Sequence, residues 1–340
     1  MRSLGLIFLC ILFSGCQGQQ TVEEKINGVS FVATRDAVGP EHLGPVEQLH
    51  ANYAAIMPFA FIRSVDEPTV IFNRERQWFG ETEEGVKQYT KELHSKGIKV
   101  MLKPQIWIRN GEFTGEFKPN TEAQWLALEK SYSDFILTFA KVAQESKVDI
   151  FCIGTELHRF VENRPEYWHN LVTQVKQQYK GKLTYAANWD EYTKTPFWKD
   201  LDYIGIDGYF PLSEEKSPKK EDLVKGWQKW KDQMQKLHVA LDKPILFTEF
   251  GYRSMDYTAK KPWLVDRNQE NVNLDAQALA LQVVFDELWK EEWFAGGFIW
   301  KWFPHHNEVG GKENNRFTPQ NKPAEETIRQ HYKNQLENQG

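Results

Sequence analysis

Cysteine is scarce in this sequence, and its scarcity excludes a fold held together by disulfide bonds. Only three cysteines occur among 340 residues, at Cys10, Cys16 and Cys152. The first two belong to an N-terminal segment of the export type, so Cys152 alone is left in the body of the chain. Because it stands in an apolar run at 150–153, we expect a small core residue rather than a nucleophile.

The sequence also lacks the usual patterns of metal and cofactor chemistry. Its nine histidines show no His-Glu-x-x-His run and no Cys/His spacing suited to zinc. The adjacent His305 and His306 are expected at the surface or along a binding subsite, not on one metal ion. A glycine-rich phosphate turn and the Gly-x-Ser-x-Gly elbow of serine hydrolases are missing as well. We therefore expect no metal and no cofactor, which leaves carboxylates as candidates for chemistry.

Long runs of one charge sign are absent. The 42 Lys and Arg against 47 Asp and Glu give a net charge of -5, and no basic run is long enough to follow a phosphate backbone. A nucleic acid is therefore not an expected partner.

The longest apolar run, at 4–13, is too short to span a bilayer as a helix. It follows Arg2 and precedes small residues, as in a secretory signal, here 1–15. The segment LFSGC (12–16) resembles the lipobox of bacterial lipoproteins, in which Cys16 carries the lipid. We favour that interpretation over a plainly cleaved signal. We therefore expect an exported protein anchored by lipid to a bacterial membrane, on its periplasmic or surface face, with 16–25 as a polar tether.

Aromatic residues and apolar segments are abundant. Length alone leaves one domain or two open, but 22 Phe, 13 Trp and 12 Tyr exclude a disordered chain. Short apolar runs alternate with amphipathic helical patterns, and most of the runs are continuous, as in parallel strands covered on both sides. Eight such alternations without a linker predict a single (β/α)8 TIM barrel over 26–335, rather than two domains or an open α/β sheet. The predicted strands are 28–33, 53–58, 99–103, 150–154, 183–187, 203–206, 245–248 and 297–300.

Two glutamates stand at the ends of predicted strands on the loop-rich rim, where barrel enzymes build their sites. Glu156 follows the fourth strand and Glu249 ends the seventh. Glycoside hydrolysis needs two carboxyl groups that face each other across the scissile bond. Taken singly, Glu156 is as well explained as a helix cap, and Glu249 as a partner of Arg253 or Lys301. Taken together, they favour catalysis.

The segments around these residues resemble glycoside hydrolase family 113 of clan A, a family known for endo-β-1,4-mannanases. They are IGTE (153–156), GIDGYFP (205–211) and TEFGY (248–252), and the resemblance extends over about 28–332. It implies a retaining double displacement with Glu156 as acid/base and Glu249 as nucleophile. Most clan members carry Asn before the acid/base, whereas this sequence has Thr155, which leaves the contact to the sugar 2-hydroxyl unassigned.

Further site residues follow from the strand ends and from the resemblance. Tyr209 is expected either to hydrogen-bond the nucleophile or to be a core aromatic, and Trp300 resembles the clan's platform beneath the sugar. Asp207 would bind substrate or support Lys103. The remaining candidates for contact with a β-linked polysaccharide or oligosaccharide are Lys103, Trp107, Asn188, Trp189 and Trp263.

Two other functions remain open at this stage. One is hydrolysis of another β-linked hexose polymer, such as a β-glucan, because the residues that select the sugar at C2 are not fixed by sequence. The other is a non-catalytic glycan-binding lipoprotein on a hydrolase-derived barrel. The presence of both Glu156 and Glu249 argues against the binder, which needs neither an acid nor a nucleophile.

Overall fold

Eight parallel strands close into a barrel in the part of the chain that the computed structural model describes, residues 24–265 and 270–337. The predicted (β/α)8 fold is confirmed. The predicted signal segment (1–15) and Cys16 lie outside the described residues. The strands are β1 (Ile26–Phe31), β2 (Tyr53–Ile56), β3 (Phe59–Ile62), β4 (Lys99–Leu102), β5 (Gln105–Ile108), β6 (Ile150–Thr155), β7 (Lys182–Asn188), β8 (Ile204–Asp207), β9 (Ile245–Phe250) and β10 (Phe294–Trp302).

All of these strands except β3 and β5 form the barrel, in the ring order β1-β10-β9-β8-β7-β6-β4-β2. Every neighbouring pair is parallel. The carboxyl ends of the strands therefore meet at one rim, as the sequence predicted for the candidate catalytic residues.

Helices surround the barrel. The periodic segments at 83–95 and 274–288 form helices with those bounds, and Thr82 begins the first of them by accepting a hydrogen bond from the Gly85 amide. A short helix directly after β6 was not predicted, and only 3-10 turns connect β7 to β8. The helices are α1 (Pro40–Gln48), α2 (Glu83–Ser95), α3 (Glu122–Glu145), α4 (His158–Asn163), α5 (Pro165–Gln178), α6 (Lys220–Leu241), α7 (Leu274–Leu288) and α8 (Pro323–Glu337).

The barrel interior is a packed core that includes Ala55, Met101, Cys152 and Phe298. A Cβ on Gly28 would lie 2.4 Å from the Phe298 ring, so a side chain there would displace the ring that fills this layer. Burial raises the pKa of the Cys152 thiol to about 12, and a thiol held neutral in this way suits the core role expected from the sequence.

A second, two-stranded parallel sheet, β3 with β5, was not predicted. It continues β2 and β4 beyond Pro58 and Pro104, which lack the N–H that a continuous ladder needs. The pairing resumes at once, because the Gln105 amide donates to the Pro58 carbonyl at 2.9 Å. The sequence does not reveal these strands, since a strand of four residues is too short to show a clear period.

Candidate active site

The carboxyl group of Glu249, near the end of β9, is held by three hydrogen-bond donors. Lys103 donates to Oε1 at 2.5 Å and Gln105 to the same oxygen at 2.9 Å. Tyr209 donates through its hydroxyl to Oε2 at 2.8 Å. Three donors on two oxygens leave the carboxyl group little freedom to rotate. Glu249 is therefore a fixed carboxylate at the rim of the barrel.

Lys103 and Asp207 form a fully buried ion pair beneath that carboxylate. The ammonium lies 2.9 and 3.2 Å from the two oxygens of Asp207, and Thr248 donates to the same side chain at 2.7 Å. Burial opposes the charge of Lys103, but the charges of Asp207 and Glu249 outweigh it and raise the lysine pKa. Burial and the charge of Glu249 raise the pKa of Asp207 to about 7, against the opposing effect of Lys103.

The contacts of Lys103 and Asp207 indicate a positioning role, and substrate binding by these residues stays a prediction. Neither side chain is exposed, and their polar atoms are used on each other, on Thr248 and on Glu249. They position and charge-balance Glu249 rather than line the cleft. The alternative that Asp207 supports Lys103 agrees with these contacts.

Glu156 lies directly after β6 in a strained backbone conformation. Its φ is +50°, in the left-handed region that side chains other than glycine rarely adopt, at a cost of about 1–3 kcal/mol. Two contacts at 2.8 Å maintain it: the Glu156 amide donates to the Ala186 carbonyl, and the Leu157 amide donates to the Tyr185 hydroxyl. Thr155, just before it, has a buried hydroxyl with no hydrogen-bond partner among the described residues.

The surroundings of the Glu156 carboxyl group differ from those of Glu249. Among the described residues, no side chain donates a hydrogen bond to Glu156. Burial, followed by the negative charges of Asp207 and Glu249, raises its pKa well above the usual range, and Lys103 opposes this only in part. Ionising all three carboxyl groups around a single ammonium costs free energy, because one cation does not balance three negative charges. Of the three, Glu156 is the one whose carboxyl pKa is raised well above the usual range and that accepts no side-chain hydrogen bond within the described part of the chain.

Two cavities are lined by several of the predicted site residues. One, of about 330 Å³, contains Glu156 and the predicted residue Asn188, together with Tyr185 and Asp190. The other is a groove of about 950 Å³, whose lining includes the predicted Trp107 and Trp300 and also His305. In the barrel ring, β6 and β9 are separated by β7 and β8, so the two glutamates stand three positions apart around one rim.

Comparison with known proteins identifies the family. The model of glycoside hydrolase family 113 matches residues 35–322. The chain belongs to glycoside hydrolase family 113. It is therefore a glycoside hydrolase, and the resemblance stated from sequence is confirmed. A comparison with curated proteins found no match.

Solved structures share the fold of this family 113 chain. The β-mannanase of family 113 from Alicyclobacillus acidocaldarius, in complex with ManMIm, has 23% identity and a TM-score of 0.79, over 92% of this chain and 98% of that one. A family 113 β-1,4-mannanase has 22% identity and a TM-score of 0.77, over 91% and 99%. The β-glucuronidase of Faecalibacterium prausnitzii has 15% identity and a TM-score of 0.59, over 92% of this chain and 49% of its own.

Two of the tryptophans that were predicted to contact sugar stack against each other. The rings of Trp189 and Trp263 stack with centroids 4.8 Å apart, and Trp230 meets Trp189 edge to face at 5.5 Å. Neither Trp189 nor Trp263 lines either of the two cavities. The structure shows a packing role for both rings, and their contact with sugar stays a prediction.

Gln105, a polar residue of the site, was not predicted from the sequence, and Lys301 was named only as a possible partner of Glu249. Gln105 donates a hydrogen bond to Glu249. Residues i and i+2 of a strand point to the same side, so the candidate Lys103 could have indicated Gln105 as a second residue of the site. Lys301 lines the groove, with its ammonium 5.2 Å from the Trp300 ring centroid and 5.1 Å from that of Phe303. Burial lowers its pKa, against the charge of Glu249.

Replacing Lys103 tests the buried ion pair. Lys103→Met leaves two carboxylates buried without their cation, so the free energy of unfolding at pH 7 should fall by about 3–5 kcal/mol. In the folded variant, the pKa values of the buried carboxyl groups lie above those in the unfolded chain, so the folded state binds more protons. Part of the lost free energy of unfolding should therefore be recovered as the pH falls from 7 toward 5. Urea unfolding at both pH values measures this.

The control for this variant is Lys87→Met. Lys87 forms an exposed ion pair with Glu145 at 2.8 Å, and removing an exposed pair should change the stability little at either pH. Equal losses in the two variants, or a loss in Lys103→Met that does not depend on pH, would contradict the role given to Lys103.

Proposed function

We propose that this family 113 enzyme cleaves β-1,4-linked mannan or manno-oligosaccharides by double displacement, with Glu249 as nucleophile and Glu156 as acid/base. The observation that carries the proposal is the contrast between the two carboxyl groups. Glu249 accepts three hydrogen bonds, whereas burial and nearby negative charge raise the pKa of Glu156. A carboxyl group with a raised pKa suits a general acid, and a carboxylate held in place by hydrogen bonds suits a nucleophile.

In the first step, an oxygen of Glu249 attacks the anomeric carbon while Glu156 gives its proton to the leaving oxygen. A covalent glycosyl ester forms, and the glycosidic bond breaks. Tyr209 and Gln105, which bond the two oxygens of Glu249, orient the carboxylate for this attack. Lys103 balances its negative charge until the bond forms.

In the second step, water replaces the ester. Once Glu249 is esterified, its negative charge no longer raises the pKa of Glu156, so Glu156 becomes a better base at the moment when a base is needed. It takes a proton from water as the water attacks the anomeric carbon, and Glu249 leaves as a carboxylate. Two inversions retain the anomeric configuration.

Mannan is the proposed substrate because the family 113 structures with which this chain shares its fold are described as β-mannanases and β-1,4-mannanases. A β-glucan or another β-linked hexose polymer is the alternative within the class. A non-catalytic glycan-binding lipoprotein is the alternative outside it. The raised pKa of Glu156 disfavours the binder, since a protonated acid beside a fixed carboxylate serves no purpose in binding alone.

Hydrolysis assays with matched variants test the proposal. Wild-type protein should release oligosaccharides from mannan faster than from β-glucan or xylan. Glu249→Ala should lower turnover about 1,000-fold or more, because a lost nucleophile costs several kcal/mol in the barrier. Glu156→Ala should keep activity on an activated aryl β-mannoside only when azide is added, with a β-mannosyl azide as product.

Glu145→Ala is the control for these variants, since Glu145 forms an ion pair with Lys87 on the surface. Near-wild-type turnover of Glu249→Ala would rule out its role as nucleophile. An unchanged Glu156→Ala would rule out its role as acid/base.

The pH dependence tests the protonation of Glu156 separately. Because its pKa is raised, the acid stays protonated up to a higher pH than an ordinary glutamic acid. On oligosaccharides, kcat/KM should fall only as pH rises through that raised pKa. This fall at high pH is the basic limb of the profile, and on an activated aryl mannoside Glu156→Ala should lose it. A limb that persists in the variant would show that another group produces it.

We also propose that the protein is exported and held at a bacterial membrane by lipid on Cys16. The support is the sequence alone: an apolar segment, small residues before the cysteine, and a polar tether. No helix among the described residues is long and apolar enough to cross a membrane. Cys16→Ser should move the protein from the detergent-extracted membrane fraction to the aqueous fraction, measured by immunoblot. Retention in the membrane fraction would contradict a lipid anchor at this residue.

A further inference from the structure

The small sheet of β3 and β5 turns one face toward the large groove, and that face is aromatic. Phe59, Phe61 and Trp107 line the groove. In the register, Phe59 lies opposite Gln105, and Phe61 lies opposite Trp107, so all four side chains belong to one face of the sheet. The alternate residues of both strands are buried against the body of the protein.

Three large aromatic side chains that line the groove are exposed to solvent. Phe61 is 46% exposed and Trp107 54%, and Trp78, which lines the same groove, is 43% exposed. Three large exposed rings thus line one groove, and exposed apolar side chains gathered in a groove mark a binding site. Aromatic rings suit the apolar C–H faces of sugar rings.

The aromatic face is continuous with the catalytic residues. Gln105 starts β5 and donates to Glu249 at 2.9 Å, and Trp107 lies two residues further along the same strand. Two residues of a strand advance by about 6.6 Å. The face therefore begins at the nucleophile and extends away from it along the groove.

The position of Glu156 decides which part of the substrate lies in the groove. The acid must face the leaving oxygen, so the leaving sugar enters the cavity of about 330 Å³ that Glu156 lines. The groove of about 950 Å³ is then the glycone side, which takes the sugars that stay bonded to Glu249. Its volume is about three times larger.

We propose that the β3–β5 face is the glycone binding platform, on which Trp107 and Phe61 stack against a sugar at least one unit beyond the one that Glu249 attacks. This inference rests on the proposed function and extends it. The larger glycone side holds more sugar units than the leaving side, so the enzyme cuts oligosaccharides near their reducing ends and releases a short leaving fragment.

The test uses aryl β-mannosides with one, two or three mannose units and the same aryl leaving group. For wild-type protein, kcat/KM should rise steeply from one unit to two or three. Trp107→Ala should lower kcat/KM about tenfold on the longer glycosides, the scale of a lost ring contact with its buried area, and less than about twofold on the shortest. Phe61→Ala should act in the same direction.

Two further variants separate the platform from general effects. Leu126→Ala removes an exposed apolar side chain from α3, outside both cavities, and should leave all values unchanged. Phe113→Ala changes the leaving-side cavity and should show no dependence on the number of glycone units. If Trp107→Ala and Phe61→Ala lower kcat/KM equally for all three lengths, the platform is disproved.

A binding measurement keeps this inference distinct from the proposed function. If wild-type protein cleaves no aryl β-mannoside, the proposed function fails. Calorimetry with mannohexaose and cellohexaose on Glu249→Ala, with and without Trp107→Ala, then decides the platform alone. Binding that weakens about tenfold on loss of Trp107 supports it. Binding that is unchanged, or no binding to either oligosaccharide, overturns it.

Discussion

The ammonium group of Lys103 is the charge on which the catalytic rim depends. It is fully buried, and such a charge is tolerated only with well-placed partners. Asp207 and Glu249 supply them, and in return Lys103 lets two carboxylates stand side by side away from water. Among the described residues, no side chain donates to Glu156, and burial followed by the negative charges of Asp207 and Glu249 raises its pKa. The two glutamates therefore lie in different electrostatic environments around one cation.

Chain continuity connects this charge cluster to the groove. Lys103 ends the barrel ladder, Pro104 interrupts it, and Gln105 starts the small sheet with a hydrogen bond to Glu249. Within three residues the chain passes from the cation that balances Glu249 to the amide that donates to it, and two residues later Trp107 reaches the groove. The proposed nucleophile and the proposed platform are therefore connected through one strand, so a shift of β5 would move both together.

Much of the fold was predictable because buried parallel strands leave long apolar runs. The fourth and seventh predicted strands, 150–154 and 245–248, lie within β6 and β9. The end of an apolar run also marks where a polar side chain meets the rim, which is how Glu156 and Glu249 were found. The small sheet was missed because its strands have four residues each, and its pairing depends on residues more than 40 positions apart.

The sequence by itself determined the barrel and the family and marked the two glutamates as candidates, because apolar periodicity and strand-end motifs are local features of the chain. Only the tertiary structure decided what the polar residues do. Lys103 and Asp207 looked like groups that bind substrate, but strands distant in sequence enclose them and make them partners of Glu249. Whether a charge is exposed or buried depends on what packs around it. Those neighbours come from residues distant in the sequence, so no local sequence pattern reveals them.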